Sequence, residues 1–130
     1  MSLDTSALAA IFFGEPEATR FIQIIHDAER CSISVANFVE LCMVIEGQIG
    51  PDAGRQCDVF FRRAGILIEP ITVEHGHLAR QAFLDFGKGR HPAGLNFGDC
   101  FAYALAKATG EALLYKGQGF SKTDLKAATA

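Results

Sequence analysis

Three acidic residues of this sequence occupy positions where an acid is unusual. Asp4 directly follows a short apolar segment, Glu40 lies in a helical segment that is apolar on nearly every side, and Asp99 has mostly apolar neighbours. Carboxylates gathered in one place repel each other, and such hard oxygen ligands bind Mg²⁺ or Mn²⁺ rather than Zn²⁺. A site of this kind suits hydrolysis of a phosphodiester, because the metal lowers the pKa of a water and stabilises the leaving oxygen.

Each acid also has a purely structural interpretation, which the sequence leaves open. Asp4 is able to cap the helix that starts after it by accepting from free backbone N–H groups. Asp99 stands three residues after Asn96, which is the spacing of a reciprocal helix cap. Glu40 shares a helical stripe with Asn37 that could simply face water. If the helix is instead buried, as its apolar sides predict, an ionised glutamate in it needs a partner or a metal.

Alternating strands and helices must position these acids. Short apolar segments predict strands at residues 1–3, 31–34, 66–71 and 112–115. Helical periodicity predicts helices at residues 6–13, 16–26, 35–48, 52–64, 73–86 and 97–109. Ser34, Thr72 and Asn96 are predicted to cap helix starts, and Gly65, in the left-handed conformation, and Gly110 are predicted to end helices. This alternation is typical of an α/β fold with a parallel sheet covered on both faces. Ligands bind beyond the carboxyl ends of such strands, and each acid lies near that edge or on a helix just after it.

Length and composition restrict the class of protein. The chain has 130 residues, 49% hydrophobic and 21% charged, with a formal net charge of −3. We expect one domain and no membrane span, because the longest apolar run, residues 7–13, is far shorter than the roughly 20 residues that a span requires. The four scattered cysteines and the lack of a signal-peptide pattern indicate a cytoplasmic protein with reduced thiols. The net charge is slightly negative, so it does not by itself indicate a nucleic-acid partner.

Three segments resemble the main motifs of PIN-domain ribonucleases, in particular the VapC-type toxins of bacterial toxin–antitoxin pairs. They are LDTSAL at residues 3–8, FVE at residues 38–40 and NFGDCFAYALA at residues 96–106; GKGRH at 87–91 and LLYKG at 113–117 extend the similarity. The resemblance implies one PIN-like domain over residues 1–130. Its three layers would contain a central parallel sheet of four or five short strands flanked by helices.

The resemblance also implies an endoribonuclease that depends on Mg²⁺ or Mn²⁺. Asp4, Glu40 and Asp99 would hold the metal, and Ser6 would offer a hydroxyl to the same pocket. The enzyme would cleave RNA with a metal-activated water, form a homodimer and be neutralised by a small VapB-like antitoxin.

One departure from the family pattern lies after the last predicted strand. Gly119 in the segment GQGF stands where the family usually carries an aspartate, so a fourth metal ligand is missing unless the nearby Asp124 replaces it. The alternative function is therefore a weakened module that binds RNA or an antitoxin without efficient cleavage. Arg90 and Lys116 are candidate phosphate contacts, although both also suit a solvated loop or strand end.

Overall fold

The computed structural model describes residues 1–128 and confirms the alternation of short strands and helices. The strands are β1 (Ser2–Leu3), β2 (Cys31–Ser34), β3 (Ile66–Glu69) and β4 (Leu113–Leu114). The helices are α1 (Thr5–Phe12), α2 (Ala18–Asp27), α3 (Val35–Gln48), α4 (Asp52–Ala64), α5 (Val73–Phe86) and α6 (Phe97–Thr109), followed by a 3₁₀ turn at Phe120–Lys122.

The four strands form one parallel sheet in the order β3-β2-β1-β4, so the fold is α/β as predicted. Leu3 of β1 is in register with Ile33 of β2 and with Leu114 of β4. Ala127 adds a single parallel bridge beside Leu113 at the outer edge of β4. The first strand of the chain is therefore an inner strand, and Asp4 follows its carboxyl end.

A separate hydrophobic cluster covers each face of the sheet. The register partners Leu3, Ile33 and Leu114 belong to a cluster that also contains buried residues of α1, α2, α3 and α4. The neighbouring Leu113 belongs to the other cluster, which contains buried residues of α5 and α6. Because successive side chains of a strand point to opposite faces, this division gives three layers of helix, sheet and helix.

Three local predictions were wrong. Strand β3 ends at Glu69 rather than at residue 71, because Pro70 has no N–H to donate to a sheet. Helix α2 begins at Ala18 rather than at Pro16, since the Ala18 N–H bonds back to Glu15 in a preceding turn. Ser34 precedes α3 but makes no side-chain cap, and its buried hydroxyl has no hydrogen-bond partner among the described residues.

Other local predictions were confirmed. Thr72 and Asn96 cap α5 and α6 through their side chains. Gly65 and Gly110 end α4 and α6 in the left-handed conformation, with φ of 69° and 73°. All four cysteines are free thiols. Within residues 1–128, no helix is both long enough and apolar enough to cross a bilayer.

Candidate active site

Asp4 is a buried carboxylate at the carboxyl end of β1. Its backbone N–H donates to the Leu114 carbonyl of β4 at 2.9 Å, which fixes the residue at the edge of the sheet. Its side chain caps α1, because Oδ2 accepts from the Ser6 backbone N–H at 3.0 Å and from the Ser6 hydroxyl at 2.5 Å. The residue is only 3% exposed, and among the described residues Oδ1 has no hydrogen-bond partner. The structural interpretation of Asp4 is thus confirmed, yet one buried oxygen is left available.

Ser6 connects Asp4 to the last strand. While its hydroxyl donates to Asp4, its oxygen accepts from the Lys116 backbone N–H at 3.0 Å. The end of β4 therefore holds the Ser6 side chain, and Ser6 in turn orients the carboxylate of Asp4.

Glu40 reaches the same region from α3. Its carboxylate lies against the first turn of α6, where a Cβ built on Gly98 would lie only 2.5 Å from Glu40 Oε2. One turn earlier on α3, the fully buried Asn37 donates from Nδ2 to the Gly98 carbonyl at 3.0 Å. The stripe shared by Asn37 and Glu40 faces α6 at this end of the helix instead of open water.

Helix α3 is less buried than its apolar composition predicts. Val39 is half-exposed and Met43 is 71% exposed. The helix is covered on one side by α1, α4 and α6, and the opposite side is left open in the single chain.

Asp99 forms the predicted capping box at the start of α6. The Asn96 side chain accepts from the Asp99 N–H at 2.9 Å, and Asp99 Oδ2 accepts from the Asn96 N–H at 3.0 Å. This reciprocal cap fixes the carboxylate at the positive end of the α6 dipole, which favours negative charge there.

The three acids influence one another electrostatically. Burial is the main cause that raises the pKa of Asp4 from its usual 3.8 to about 7, and the charges of Asp99 and Glu40 raise it further against the lowering effect of the Ser6 hydrogen bonds. Burial also raises the pKa of Asp99, and the charge of Glu40 adds to that effect. The charges at positions 4, 40 and 99 therefore act on one another in a partly dehydrated region.

The donor set of this region fits a hard divalent cation. It offers carboxylate oxygens, including the buried, unpartnered Oδ1 of Asp4, and Mg²⁺ and Mn²⁺ prefer such ligands. Within residues 1–128, no three His, Cys, Asp or Glu side chains are already arranged around one point that could hold an ion. For all three acids to hold one ion, their side chains would therefore have to move closer together.

The remaining predicted site residues have other contacts. Lys116 Nζ pairs with the carboxylates of Glu15 and Glu17, so only its backbone N–H contacts the site. The guanidinium of Arg90 lies over the ring of Phe83, 5.6 Å from its centroid.

Asp124 does not join the three carboxylates. Its Oδ1 accepts from the Tyr103 hydroxyl at 2.7 Å, and its Oδ2 accepts from Lys107 Nζ at 2.6 Å. Both partners lie on α6, where Asp124 attaches the C-terminal segment to the helix.

Gly119 has little space around its α carbon. A Cβ at this position would be 2.9 Å from the Ala93 carbonyl oxygen. The turn after β4 therefore lies close to the loop at residues 88–95, and it brings no carboxylate to the site.

Asn37 and Gly98 also belong to this region, although neither was a predicted site residue. The signal for Asn37 was present, because it is three residues before Glu40 and therefore lies on the same face of α3. The signal for Gly98 was its place directly before Asp99, but the sequence did not indicate which side chain would approach it.

Comparison with known proteins identifies the family. The family model described as PIN domain matches residues 1–126. Ribonuclease VapC of Mycolicibacterium smegmatis is 42% identical over 127 residues, covering 98% of this chain and 98% of that protein. Ribonuclease VapC30 of Mycobacterium tuberculosis is 42% identical over 125 residues, covering 96% of this chain and 95% of that protein. The chain therefore belongs to the PIN-domain family and is of the VapC type that its motifs indicated.

Solved structures agree with this family in their fold. Mycobacterium tuberculosis VapC20, described as a sarcin–ricin-loop-cleaving toxin, matches with a TM-score of 0.80 at 16% identity over 99% of this chain and 98% of that one. VapBC2 from Rickettsia felis, solved with a DNA fragment from its promoter, matches with a TM-score of 0.72 at 13% identity over 97% and 94% of the two chains. At such identities the likeness concerns the fold alone.

Proposed function

We propose that this protein is a divalent-metal-dependent endoribonuclease of the VapC type that acts in the cytoplasm. The observation that carries the proposal is the buried carboxylate of Asp4, whose pKa is raised by burial and by the charges of Asp99 and Glu40, and whose Oδ1 has no hydrogen-bond partner among the described residues. The names of the curated relatives support ribonuclease activity, and the chain covers nearly their full length.

Asp4, Glu40 and Asp99 would hold the metal in this reaction. Bound Mg²⁺ or Mn²⁺ supplies a Lewis acid that lowers the pKa of a water and neutralises charge on a phosphate. The residues around the site orient the ligands: Ser6 holds one oxygen of Asp4, and Asn96 holds one oxygen of Asp99. The positive end of α6 favours an anionic phosphate group beside it. In-line attack by water would leave a 5′-phosphate and a 3′-hydroxyl.

The proposal includes two protein partners. A small VapB-like antitoxin would neutralise the enzyme, in keeping with the toxin–antitoxin complexes among the structural neighbours. A second copy of the chain would cover apolar side chains that are exposed on α3, α5 and α6, namely Val39, Met43, Phe83 and Phe97. Phe97, which is 78% exposed, and Phe83 line one apolar groove between α5 and α6.

The homodimer is tested by light scattering on the purified wild type and on Phe97→Ser. We expect the wild type to have the mass of a dimer and the variant to dissociate at higher concentrations than the wild type. A monomeric wild type at concentrations of about 100 µM would contradict this part of the proposal, since stable homodimers of small domains form well below that.

The second candidate function is a weakened module that binds RNA or an antitoxin but cleaves poorly. Gly119 favours it, because the turn after β4 supplies no carboxylate and is packed against Ala93. The two candidates differ in whether the three remaining acids support turnover.

The discriminating experiment compares growth after induction of the wild type, Asp4→Ala, Asp99→Asn and the control Asp124→Asn. Asp124 is an acid whose partners lie on α6 rather than in the site, so its variant keeps the three carboxylates. We expect the wild type and Asp124→Asn to stop growth and the two site variants to be harmless. A harmless wild type, or site variants that remain equally toxic, would refute the nuclease.

Cleavage of structured RNA by the purified proteins in Mg²⁺, Mn²⁺ or EDTA complements the growth assay. We expect activity with either metal and none with EDTA. Activity that survives EDTA would exclude the metal-dependent reaction, and specific RNA binding without cleavage would favour the weakened module.

A further inference from the structure

Asn37 is a polar side chain that the fold buries completely. It is 0% exposed and lies in the first turns of α3, between the sheet and α6. Its Nδ2 donates to the Gly98 carbonyl at 3.0 Å, and its own backbone carbonyl accepts from the Thr5 hydroxyl at 3.1 Å. One residue on α3 thus contacts both α1 and the start of α6.

The residues that make these contacts are close in sequence to the three acids. Thr5 follows Asp4, Gly98 precedes Asp99, and Asn37 is one helical turn before Glu40. The Gly98 carbonyl accepts from the amide of Asn37, and the carboxylate of Glu40 lies close to the Gly98 α carbon. The position of the Gly98 peptide therefore depends directly on Asn37, and the carboxylate of Asp99 follows that peptide.

The amide of Asn37 is a poor choice for stability alone. Its Oδ1 is buried without a hydrogen-bond partner among the described residues, and an unpaired buried acceptor lowers the free energy of unfolding. An apolar side chain of similar size would fill the same space without that penalty. The single contact that an apolar side chain could not make is the hydrogen bond to Gly98.

We propose that Asn37 is a positioning residue of the nuclease site. By fixing the Gly98 carbonyl it holds the first turn of α6, and with it the backbone of Asp99, in place beside Glu40. The inference rests on the proposed function for its catalytic consequence, while its structural part concerns the first turn of α6 and is measurable without RNA.

The test compares Asn37→Leu and Asn37→Ala with Ser34→Ala. Ser34 is a matched control, because it is also buried next to the start of α3 with an unpartnered oxygen, but its hydroxyl makes no hydrogen bond to α6 or to any other described residue. The measurements are thermal unfolding, hydrogen–deuterium exchange of the first turn of α6, Mn²⁺ affinity by electron paramagnetic resonance, and kcat and KM for RNA cleavage.

We expect Asn37→Leu to stay folded, to exchange faster at residues 98–100, and to lose about 10- to 100-fold in Mn²⁺ affinity and kcat, with KM nearly unchanged. Ser34→Ala should match the wild type in all four measurements. Wild-type exchange and Mn²⁺ affinity in both Asn37 variants would overturn the inference. Loss of the folded state in both would also overturn it, because Asn37 would then serve folding rather than positioning.

The two proposals fail in different ways. If the wild type itself shows no metal-dependent cleavage, the proposed function is wrong, whatever the exchange data show. If the wild type cleaves RNA and the Asn37 variants cleave equally well, only the inference about Asn37 is wrong.

Discussion

Replacing Asp4 with asparagine is expected to stabilise the metal-free protein at neutral and alkaline pH. Burial raises the pKa of Asp4 from its usual 3.8 to about 7, so the folded state resists its ionisation. An asparagine keeps an oxygen that accepts from the Ser6 N–H but carries no charge. The variant therefore removes the dehydrated charge while it preserves the cap of α1.

The magnitude and the pH range follow from the pKa. Each pKa unit corresponds to about 1.4 kcal/mol, so a rise of about three units lowers the free energy of unfolding of the wild type by about 4 kcal/mol at pH 8. Because the pKa of Asp4 is raised in the folded state, the wild type has its full stability below about pH 4. It loses those roughly 4 kcal/mol as the pH rises to about 7. The difference between Asp4→Asn and the wild type should widen over that range and stay constant above it.

The assay is urea unfolding in EDTA at several pH values between 4 and 8.5. Asp124→Asn is a control in which the change in stability should have the opposite sign. The hydrogen bond from Lys107 lowers the pKa of Asp124, so removing the Asp124 carboxylate should destabilise the protein slightly at neutral pH. In separate samples without EDTA, Mn²⁺ at 100 times its Kd should stabilise the wild type by about 2.7 kcal/mol and leave the stability of Asp4→Asn unchanged. An Asp4→Asn protein that is less stable than the wild type at pH 8, or a difference that does not depend on pH, would refute the reasoning.

Three further predictions follow from the structure: two concern crowding around glycines, and one concerns the hydrogen bond between Tyr103 and Asp124. Gly98→Ala places a Cβ 2.5 Å from Glu40 Oε2, so we expect kcat for RNA cleavage to fall at least about 10-fold. Gly119→Ala and Gly119→Asp each place a Cβ 2.9 Å from the Ala93 carbonyl oxygen. Urea unfolding should show both variants to be about 1–3 kcal/mol less stable than the wild type. RNA cleavage by Gly119→Asp should not exceed that of the wild type. Tyr103→Phe removes the hydroxyl hydrogen bond to Asp124, about one turn further along α6 than Asp99, so stability should fall by about 1 kcal/mol while Mn²⁺ affinity stays unchanged.

Each of these predictions has a clear contrary result. A fully active Gly98→Ala enzyme would mean that Glu40 does not need its position above α6. Cleavage that increases in Gly119→Asp would show that the turn after β4 accepts a fourth carboxylate. A change of Mn²⁺ affinity in Tyr103→Phe would show that the contact between Tyr103 and Asp124 is coupled to the site.

Much of the fold could be predicted because its signals are local. The spacing between Asn96 and Asp99 determines a capping box with no help from the rest of the chain. Gly65 and Gly110 end their helices because a left-handed residue there is favourable only for glycine. Asp4 could be located at the sheet edge by similarly local reasoning, because it directly follows the first strand.

What could not be predicted depends on contacts between distant segments. Helical periodicity shows that Asn37 and Glu40 share a face, but it does not reveal which neighbour covers that face. The same limit explains why the exposure of Met43 was missed, since an apolar residue on an open face has the same pattern as one in the core. The pairing of Asp124 with Lys107 joins a coil segment to a helix, and no periodic pattern indicates such a contact.

The order of strands has a consequence for the protein during its synthesis. Strand β1 leaves the ribosome before the other three strands, yet one of its two neighbours, β4, is made more than a hundred residues later. The Asp4 backbone is held by Leu114, and Ser6 is held by Lys116, so the carboxylate of Asp4 is not oriented until that late segment is available. Contacts so distant in sequence form only after most of the chain has been made. We therefore expect a nascent chain to carry all three acids without nuclease activity, which gives the cell that makes this protein an interval before the enzyme becomes active.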